Sequence, residues 1–128
     1  MNLLLDTHLL LWAAGSPERL PEETRSLLLD PANELCFSAA SLWEVAIKEG
    51  LGRADFHVDT RRFWRLLQSH GYREIPVTGE HAVALRSLPL LHKDPFDRML
   101  IAQARVEGLT LLSADPLVLR YGDGIRGV

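Results

Sequence analysis

The chain has 128 residues, of which 47% are hydrophobic and 24% charged, and a formal net charge of −3. Its length predicts one domain over residues 1–128 with a core of its own, and Cys36, the only cysteine, excludes an intrachain disulfide and a cysteine-based zinc cluster. The negative net charge argues against bulk attraction to nucleic acid without excluding a local binding site.

No apolar run approaches the ~20 residues of a membrane span, and residues 1–14 lack the basic leader of a signal peptide. We therefore expect a cytoplasmic protein without membrane contacts.

Short apolar runs alternate with helical periodicities along the chain. Apolar runs without alternation are typical of strands buried on both faces of a parallel sheet. Capping residues before a periodic segment, with Gly or Pro at its end, mark the helices. In chain order these signals predict a strand at 2–6, helices at 7–12 (capped by Thr7) and 18–29, a strand at 34–38, a helix from Ser38 or Ser41 to Gly50, a helix at 60–70, a strand at 72–77, helices at 78–88 and 94–107, a strand at 110–113, a short helix from Asp115 and an edge strand at 125–128.

This alternation predicts the fold class. Right-handed crossovers place helices on both faces of a parallel sheet, which gives a three-layer α/β/α sandwich around a mainly parallel sheet of four to five strands. Ligands of such sheets bind beyond the carboxyl ends of the strands, where the strand order reverses. Asp6 and Asp115 both follow strands and are therefore expected at that edge.

Four acids at strand ends or near helix starts carry the chemical prediction: Asp6, Glu44, Asp97 and Asp115. Carboxylates about 4 Å apart repel by roughly 4 kcal/mol per pair at an effective dielectric near 20, so a fold that gathers them needs a compensating cation. Oxygen ligands favour Mg²⁺ or Mn²⁺. The pattern points to metal-assisted phosphoryl transfer.

Each acid also has a structural alternative. Asp94 and Asp115 precede prolines and suit helix caps, and Asp97 lies in a first turn where the helix dipole favours a carboxylate. Glu44 could face solvent, although its apolar neighbours favour enclosure. Asp6 has no obvious local partner, so as a purely structural buried group it would be costly.

Other residue types predict less. The five histidines, at positions 8, 57, 70, 81 and 92, lack metal-ligand spacing, and most of them are interpreted as surface or cap residues. The three tryptophans, Trp12, Trp43 and Trp64, fit helix faces and are predicted to lie in the core. No serine has a nucleophile-elbow context and no glycine-rich phosphate loop is present, which disfavours serine hydrolases and P-loop enzymes.

Four segments in order resemble a PIN domain, above all the VapC-type toxin ribonucleases of bacterial and archaeal toxin–antitoxin pairs. They are Leu5-Asp6-Thr7-His8, the run from Ser41 to Lys48, the run from Asp94 to Ala104, and Ser113-Ala114-Asp115. The resemblance implies an endoribonuclease whose acids hold Mg²⁺ or Mn²⁺. The family's four acids match Asp6, Glu44, Asp97 and Asp115, its orienting hydroxyl residues match Thr7 and Ser113, and Asp94 either assists or caps the helix.

The resemblance also implies partners. Such toxins cut RNA, form homodimers and are silenced by an antitoxin segment that covers the acidic cleft with a basic side chain. Lys48, Lys93 and Arg98 lie close in sequence to the acids and are candidates for phosphate contacts. Pro116 after Asp115 departs from the pattern and favours a water-positioning role for Asp115 over direct ligation.

Three other hypotheses remain open at this stage, the first being a DNA-directed or structure-specific nuclease, since the metal chemistry does not itself choose the sugar. A catalytically degenerate PIN scaffold would keep the fold without the activity, but all four acids are present. A phosphoaspartate receiver domain needs an acid pair after its first strand and a lysine after its last. Only Asp6 follows the first strand, and the last lysine, Lys93, precedes the fourth.

Overall fold

A computed structural model describes residues 1–128 and has five strands and seven α-helices. The elements are β1 (Asn2–Leu5), α1 (Thr7–Gly15), a 3₁₀ turn (Pro17–Arg19), α2 (Glu22–Leu29), β2 (Glu34–Ser38), α3 (Ala39–Gly50), α4 (Thr60–Ser69), β3 (Arg73–Ile75), α5 (Gly79–Ala84), a second 3₁₀ turn (Leu85–Ser87), α6 (Pro95–Glu107), β4 (Thr110–Ser113), α7 (Pro116–Leu119) and β5 (Ile125–Gly127).

The sheet is parallel throughout, with the order β3-β2-β1-β4-β5. The chain winds from β1 outward through β2 and β3, then returns to the other side of β1 with β4 and β5. The strand order therefore reverses between β1 and β4, where a doubly wound sheet opens its ligand-binding crevice. The receiver alternative is wrong, because receiver domains have the order 2-1-3-4-5.

Helices cover both faces of the sheet and confirm the three-layer sandwich. Alternate side chains of β1 point to opposite faces, so Leu4 packs beneath α6 with Leu100 and Ile101. Leu3 and Leu5 pack on the other face. That second core is completed by side chains of α1, β2, α3, α4 and β4, among them Leu9, Phe37, Val45, Phe63 and Leu112. No helix combines the length and the apolar character needed to cross a membrane.

Two predicted helices differ from the structure. The helix predicted at 18–29 is divided, because Pro21 lacks an N–H and drives Leu20 into an extended conformation (ψ 133°). Leu20 is buried, and α2 begins only after the proline. The helix predicted at 78–88 ends at Ala84 and tightens into the second 3₁₀ turn.

Other local expectations are corrected near the site. The first helix runs to Gly15, and its N-cap is Asp6 rather than Thr7. The core prediction fails for Trp43, which is 63% exposed, and for Trp64, which is 37% exposed. Trp43 lies against the edge of Phe96 with ring centroids 5.1 Å apart, so this contact joins α3 to the start of α6 at the protein surface.

Candidate metal centre and active site

Asp6 joins the ends of β1 and β4. Its Oδ1 accepts the N–H of Leu9, as an N-cap does, and its Oδ2 accepts the hydroxyl of Ser113 at 2.6 Å. The side chain is buried. Burial raises the pKa of the Asp6 carboxyl and the charge of Asp115 raises it further, although the hydrogen bonds from Ser113 and Leu9 oppose the shift. A negative charge at this position is therefore costly without a cation.

Glu44 lies on α3, which begins at its N-cap Ser38. One turn before Glu44, the hydroxyl of Ser41 accepts a hydrogen bond from Thr7 at 2.9 Å, which holds α3 against the start of α1. Glu44 is 8% exposed. Its Oε2 lies 3.1 Å from Lys48 Nζ, and its buried Oε1 has no hydrogen-bond partner. An unsatisfied buried acceptor costs about 1–3 kcal/mol, and more when charged, so a bound cation would relieve it.

Asp94 and Asp97 occupy the start of α6. Asp94 Oδ1 accepts the N–H groups of Phe96 and Asp97 at 2.8 and 3.1 Å, which confirms that Asp94 is the helix cap. Asp97 Oδ2 lies 2.7 Å from His92 Nε2. Burial raises the pKa of Asp97 to about 6, and the charges of Asp94 and Asp6 add to this effect while His92 opposes it.

Asp115 follows β4 and caps the short α7 through the N–H of Leu117. Its own N–H donates to Ser113 Oγ at 3.1 Å. Ser113 is thus fully buried between the two acids, donating to Asp6 and accepting from Asp115. The second oxygen of Asp115 lies 3.9 Å from His92 Nε2.

The structure links three of the predicted acids and adds one unpredicted residue to them. Asp6 and Asp115 are joined through Ser113, and the charges of Asp115 and Asp6 raise the pKa values of Asp6 and Asp97 respectively. Glu44 lies on α3, whose neighbouring residues Ser41 and Trp43 contact Thr7 of α1 and Phe96 of α6. The tightest group of potential ligand atoms, however, is His92, Asp94 and Asp97, all within 4.8 Å of one another. Neither Asp6 nor Glu44 belongs to that group.

Most of the histidines are interpreted from sequence as surface or cap residues, and His92 does not fit that interpretation. Its side chain is 12% exposed and contacts Asp97. The only sequence signal is its position five residues before Asp97 on the connector that leads into α6. His81 is likewise buried, but it does cap α5 together with Thr78, and its Nε2 lies 2.8 Å from Glu107.

The three candidate phosphate-binding cations have different surroundings. Lys48 pairs with Glu44, and Lys93 is exposed. Arg98 donates to the carbonyl oxygen of Pro89 at 2.9 Å and to the hydroxyl of Tyr121 at 3.0 Å. Its guanidinium thereby holds the connector that carries His92, so a structural role accounts for Arg98.

A model of the PIN domain family matches residues 3–123. The chain belongs to the PIN domain family. No curated protein matches its sequence. Among solved structures, this PIN domain is similar to VapBC2 from Rickettsia felis bound to a promoter DNA fragment (TM-score 0.69, 15% identity, 99% of this chain and 98% of that one covered) and to VapBC-1 from nontypeable Haemophilus influenzae (0.68, 15%, 100% and 97%). It is also similar to DNA-bound VapBC from Salmonella typhimurium (0.67, 17%, 100% and 97%).

Three observations indicate that the acidic residues of this PIN domain, among them Asp6, Glu44 and Asp97, suit a divalent cation. Glu44 Oε1 is buried without a partner. The pKa values of Asp6 and Asp97 are raised, since burial and neighbouring carboxylates disfavour their charged forms. The available donors are mostly carboxylate oxygens, which suit Mg²⁺ and Mn²⁺.

Proposed function

We propose that this PIN domain is a Mg²⁺- or Mn²⁺-dependent endoribonuclease and the toxin of a toxin–antitoxin pair. The observation that carries the proposal is the meeting of Asp6 and Asp115 at Ser113, at the adjacent ends of β1 and β4, with the charge of Asp6 acting on Asp97. The buried Glu44 Oε1, which has no hydrogen-bond partner, supports it. The similarity to VapBC structures supports the fold and suggests the biological class.

In this proposal the acids divide the work of holding the ion. Asp6 and Asp97 hold the principal ion, and Glu44 and Asp115 complete its surroundings or hold a second one. When bound, a divalent ion supplies activation of water and neutralisation of charge on the scissile phosphate. No side-chain nucleophile is required.

Neighbouring residues orient these acids. Ser113 fixes the rotamer of Asp6 through the 2.6 Å hydrogen bond, and Thr7 joins α1 to α3. Asp94 stabilises the first turn from which Asp97 projects. Exposed Lys93 and half-buried Lys48 are the cations available to the RNA backbone.

The catalytic proposal is tested with a fluorophore–quencher RNA of mixed sequence and a DNA of the same sequence, each with and without Mg²⁺ or Mn²⁺. Asp6→Asn and Asp97→Asn should each lower RNA cleavage by at least about 100-fold, because metal-ion catalysis contributes several kcal/mol. Asp123→Asn, an exposed change before β5 at the other edge of the sheet, is the matched control. Cleavage that survives Asp6→Asn, or that needs no divalent ion, would refute the mechanism. Preference for the DNA would instead identify a DNA-directed nuclease.

An antitoxin is the proposed protein partner. A basic side chain from such a partner would meet the carboxylates of Asp97 and Asp115, whose side chains are 19% and 37% exposed. A toxin–antitoxin complex from Klebsiella pneumoniae is a further solved structure similar to this chain (TM-score 0.65, 18% identity, 97% of this chain and 95% of that one covered). Co-expression with the product of the neighbouring short reading frame should abolish RNA cleavage and yield a stable complex; cleavage that continues in its presence would contradict this partner.

A homodimer is the proposed assembly. An apolar groove of about 320 Å³ runs beside the α3–α6 contact and is lined by Trp43, Val77, Phe96 and Met99, among others. Trp43 and Val77 are largely exposed in the single chain, and exposed apolar patches of this kind mark interaction surfaces. Light scattering that finds only monomer at micromolar concentration would count against this assembly.

A further inference from the structure

We propose that His92 is a nitrogen ligand of the divalent ion, acting with Asp94 and Asp97, and that it gives the site a preference for Mn²⁺ over Mg²⁺. The inference rests on the proposed metal-dependent function and adds a residue and a selectivity to it. It starts from the group of three ligand atoms within 4.8 Å of one another.

The two closest potential ligand atoms are hydrogen-bonded to each other, and a shared ion would replace the proton between them, which is released to solvent. His92 Nε2 and Asp97 Oδ2 are 2.7 Å apart. Neighbouring ligands of a six-coordinate ion with bonds near 2.1 Å lie about 3 Å apart, so a small outward movement would admit a cation between them. Asp115 Oδ2, at 3.9 Å from the same nitrogen, is an additional oxygen at the edge of the group.

The backbone of His92 is held in place by a dedicated set of hydrogen bonds. The hydroxyl of Tyr121 accepts the N–H groups of Leu91 and His92 at 3.2 and 3.1 Å and the guanidinium of Arg98 at 3.0 Å. Arg98 also holds the carbonyl of Pro89. Tyr121 itself is buried in the core beneath α6. These bonds fix the backbone from which the imidazole extends, and the ring itself is held at Nε2 by Asp97; such support is what metal ligands require of the groups around them.

A second observation concerns the acid on α3. Glu44 is nine-tenths buried, and its Oε1 has no hydrogen-bond partner. Its neighbours Ser41 and Trp43 contact Thr7 of α1 and Phe96 of α6, the two helices that begin beside Asp6 and Asp97. The acids of the proposed site therefore include one unsatisfied oxygen beyond the three grouped residues.

The chemistry of the donor set predicts the selectivity. Mg²⁺ prefers oxygen ligands and dehydrates reluctantly. Mn²⁺ also favours oxygen ligands, but as a first-row transition ion it accepts an imidazole nitrogen more readily than Mg²⁺ does. A histidine in the ligand set therefore strengthens Mn²⁺ binding more than Mg²⁺ binding.

The test measures binding and ligation rather than activity. Titration calorimetry gives the Mn²⁺ and Mg²⁺ affinities, and electron spin echo spectroscopy of bound Mn²⁺ detects ¹⁴N coupled to the ion. The variants are His92→Gln and the control His70→Gln, whose exposed histidine precedes β3 at the opposite edge of the sheet. Circular dichroism checks that each variant folds.

The wild-type chain and His70→Gln should show the ¹⁴N modulation, and labelling with ¹⁵N-histidine should replace it by the ¹⁵N pattern. His92→Gln should lose it and bind Mn²⁺ at least about tenfold more weakly, with less than a threefold change for Mg²⁺. Absence of a histidine signal from the wild-type protein overturns the inference even if the variant fails to fold. Equal losses of Mn²⁺ and Mg²⁺ affinity overturn it too, and leave His92 as a residue that only orients Asp97.

The two proposals fail in different ways. A histidine signal without RNA cleavage would retain the His92 site and remove the nuclease function. Cleavage that requires a divalent ion, without a histidine signal in the wild-type protein, would retain the nuclease function and remove the His92 ligand.

Discussion

Replacing Asp97 by Asn should stabilise the metal-free protein at neutral pH. Burial first, and the negative charges of Asp94 and Asp6 second, raise the pKa of Asp97 from its ordinary value of 3.8 to about 6. The native state therefore holds a proton that the unfolded chain releases between these two values. The stability associated with that proton is complete below pH 3.8 and is lost as the pH rises through 6.

The magnitude follows from the same values. The difference between the two pKa values of Asp97 corresponds to about 3 kcal/mol of unfolding free energy once the group is fully titrated. This figure is an upper limit, because the side chain retains 19% exposure. Between pH 5 and pH 8, Asp97 alone should lower the free energy of unfolding by about 1.4 kcal/mol. Asn at this position keeps an oxygen that can accept from His92 but never becomes charged, so Asp97→Asn should flatten this part of the pH dependence.

Urea unfolding in EDTA at pH 5 and pH 8 measures the effect. His92 contacts Asp97, so the comparison is repeated in a His92→Gln background. Asp123→Asn controls for the loss of any negative charge. Saturating Mg²⁺ should reverse the order at pH 8, because the wild-type carboxylate then binds the ion. An Asp97→Asn variant that is less stable than the wild type in EDTA at pH 8 would show that burial does not disfavour this charge.

Three further changes test the surroundings of the site. Ser113→Ala removes the buried hydroxyl between Asp6 and Asp115, and should cost about 1–3 kcal/mol of stability in thermal or urea unfolding; an unchanged midpoint would contradict this. Lys48→Met removes the cation paired with Glu44, so Mg²⁺ affinity measured by calorimetry should rise at low salt, and a fall would mean that Lys48 does not compete with the ion. Trp43→Asp places a charge in the exposed apolar groove and should convert the proposed dimer to monomer in light scattering, an expectation that a persistent dimer would disprove.

The topology of the site was predictable because it depends on rules that act along the whole chain. Apolar runs ending in Asp6 and Ser113 identify β1 and β4, and parallel strands present their carboxyl ends at one edge. The register confirms this, with Leu5 opposite Leu112 and the N–H of Asp6 bonded to the carbonyl of Leu112. The capping role of Asp94 followed from the proline after it, since both residue types are favoured at a helix start.

The predictions that differ from the structure lie where a local sequence pattern is overridden by a contact with a distant part of the chain. The helical periodicity of the sequence continues through Pro21. In the structure the first 3₁₀ turn ends at Arg19, because Pro21 lacks an N–H and Leu20 is buried in an extended conformation, and α2 begins after the proline. Trp43 fits a helix face in the sequence, yet the facing element is the first turn of α6, which covers only part of the ring. Periodicity identifies an apolar face without stating how much of it another element covers.

His92 shows most clearly what a sequence pattern leaves out. The residue lies in the connector between the second 3₁₀ turn and α6, and that connector has no periodicity of its own. Its position depends on Tyr121, 29 residues further along the chain, whose hydroxyl binds its N–H. No local propensity encodes that pairing, because it exists only after α7 has packed against α6 and brought the ring beneath the connector. A rigid connector beside three carboxylates needs a long-range anchor of this kind, so Tyr121→Phe should loosen His92 without removing any group from the acidic pocket. If Tyr121→Phe binds Mn²⁺ more weakly and Mg²⁺ as before, the Tyr121 hydroxyl supports the metal centre. An unchanged Mn²⁺ affinity would show that this hydroxyl does not contribute to metal binding.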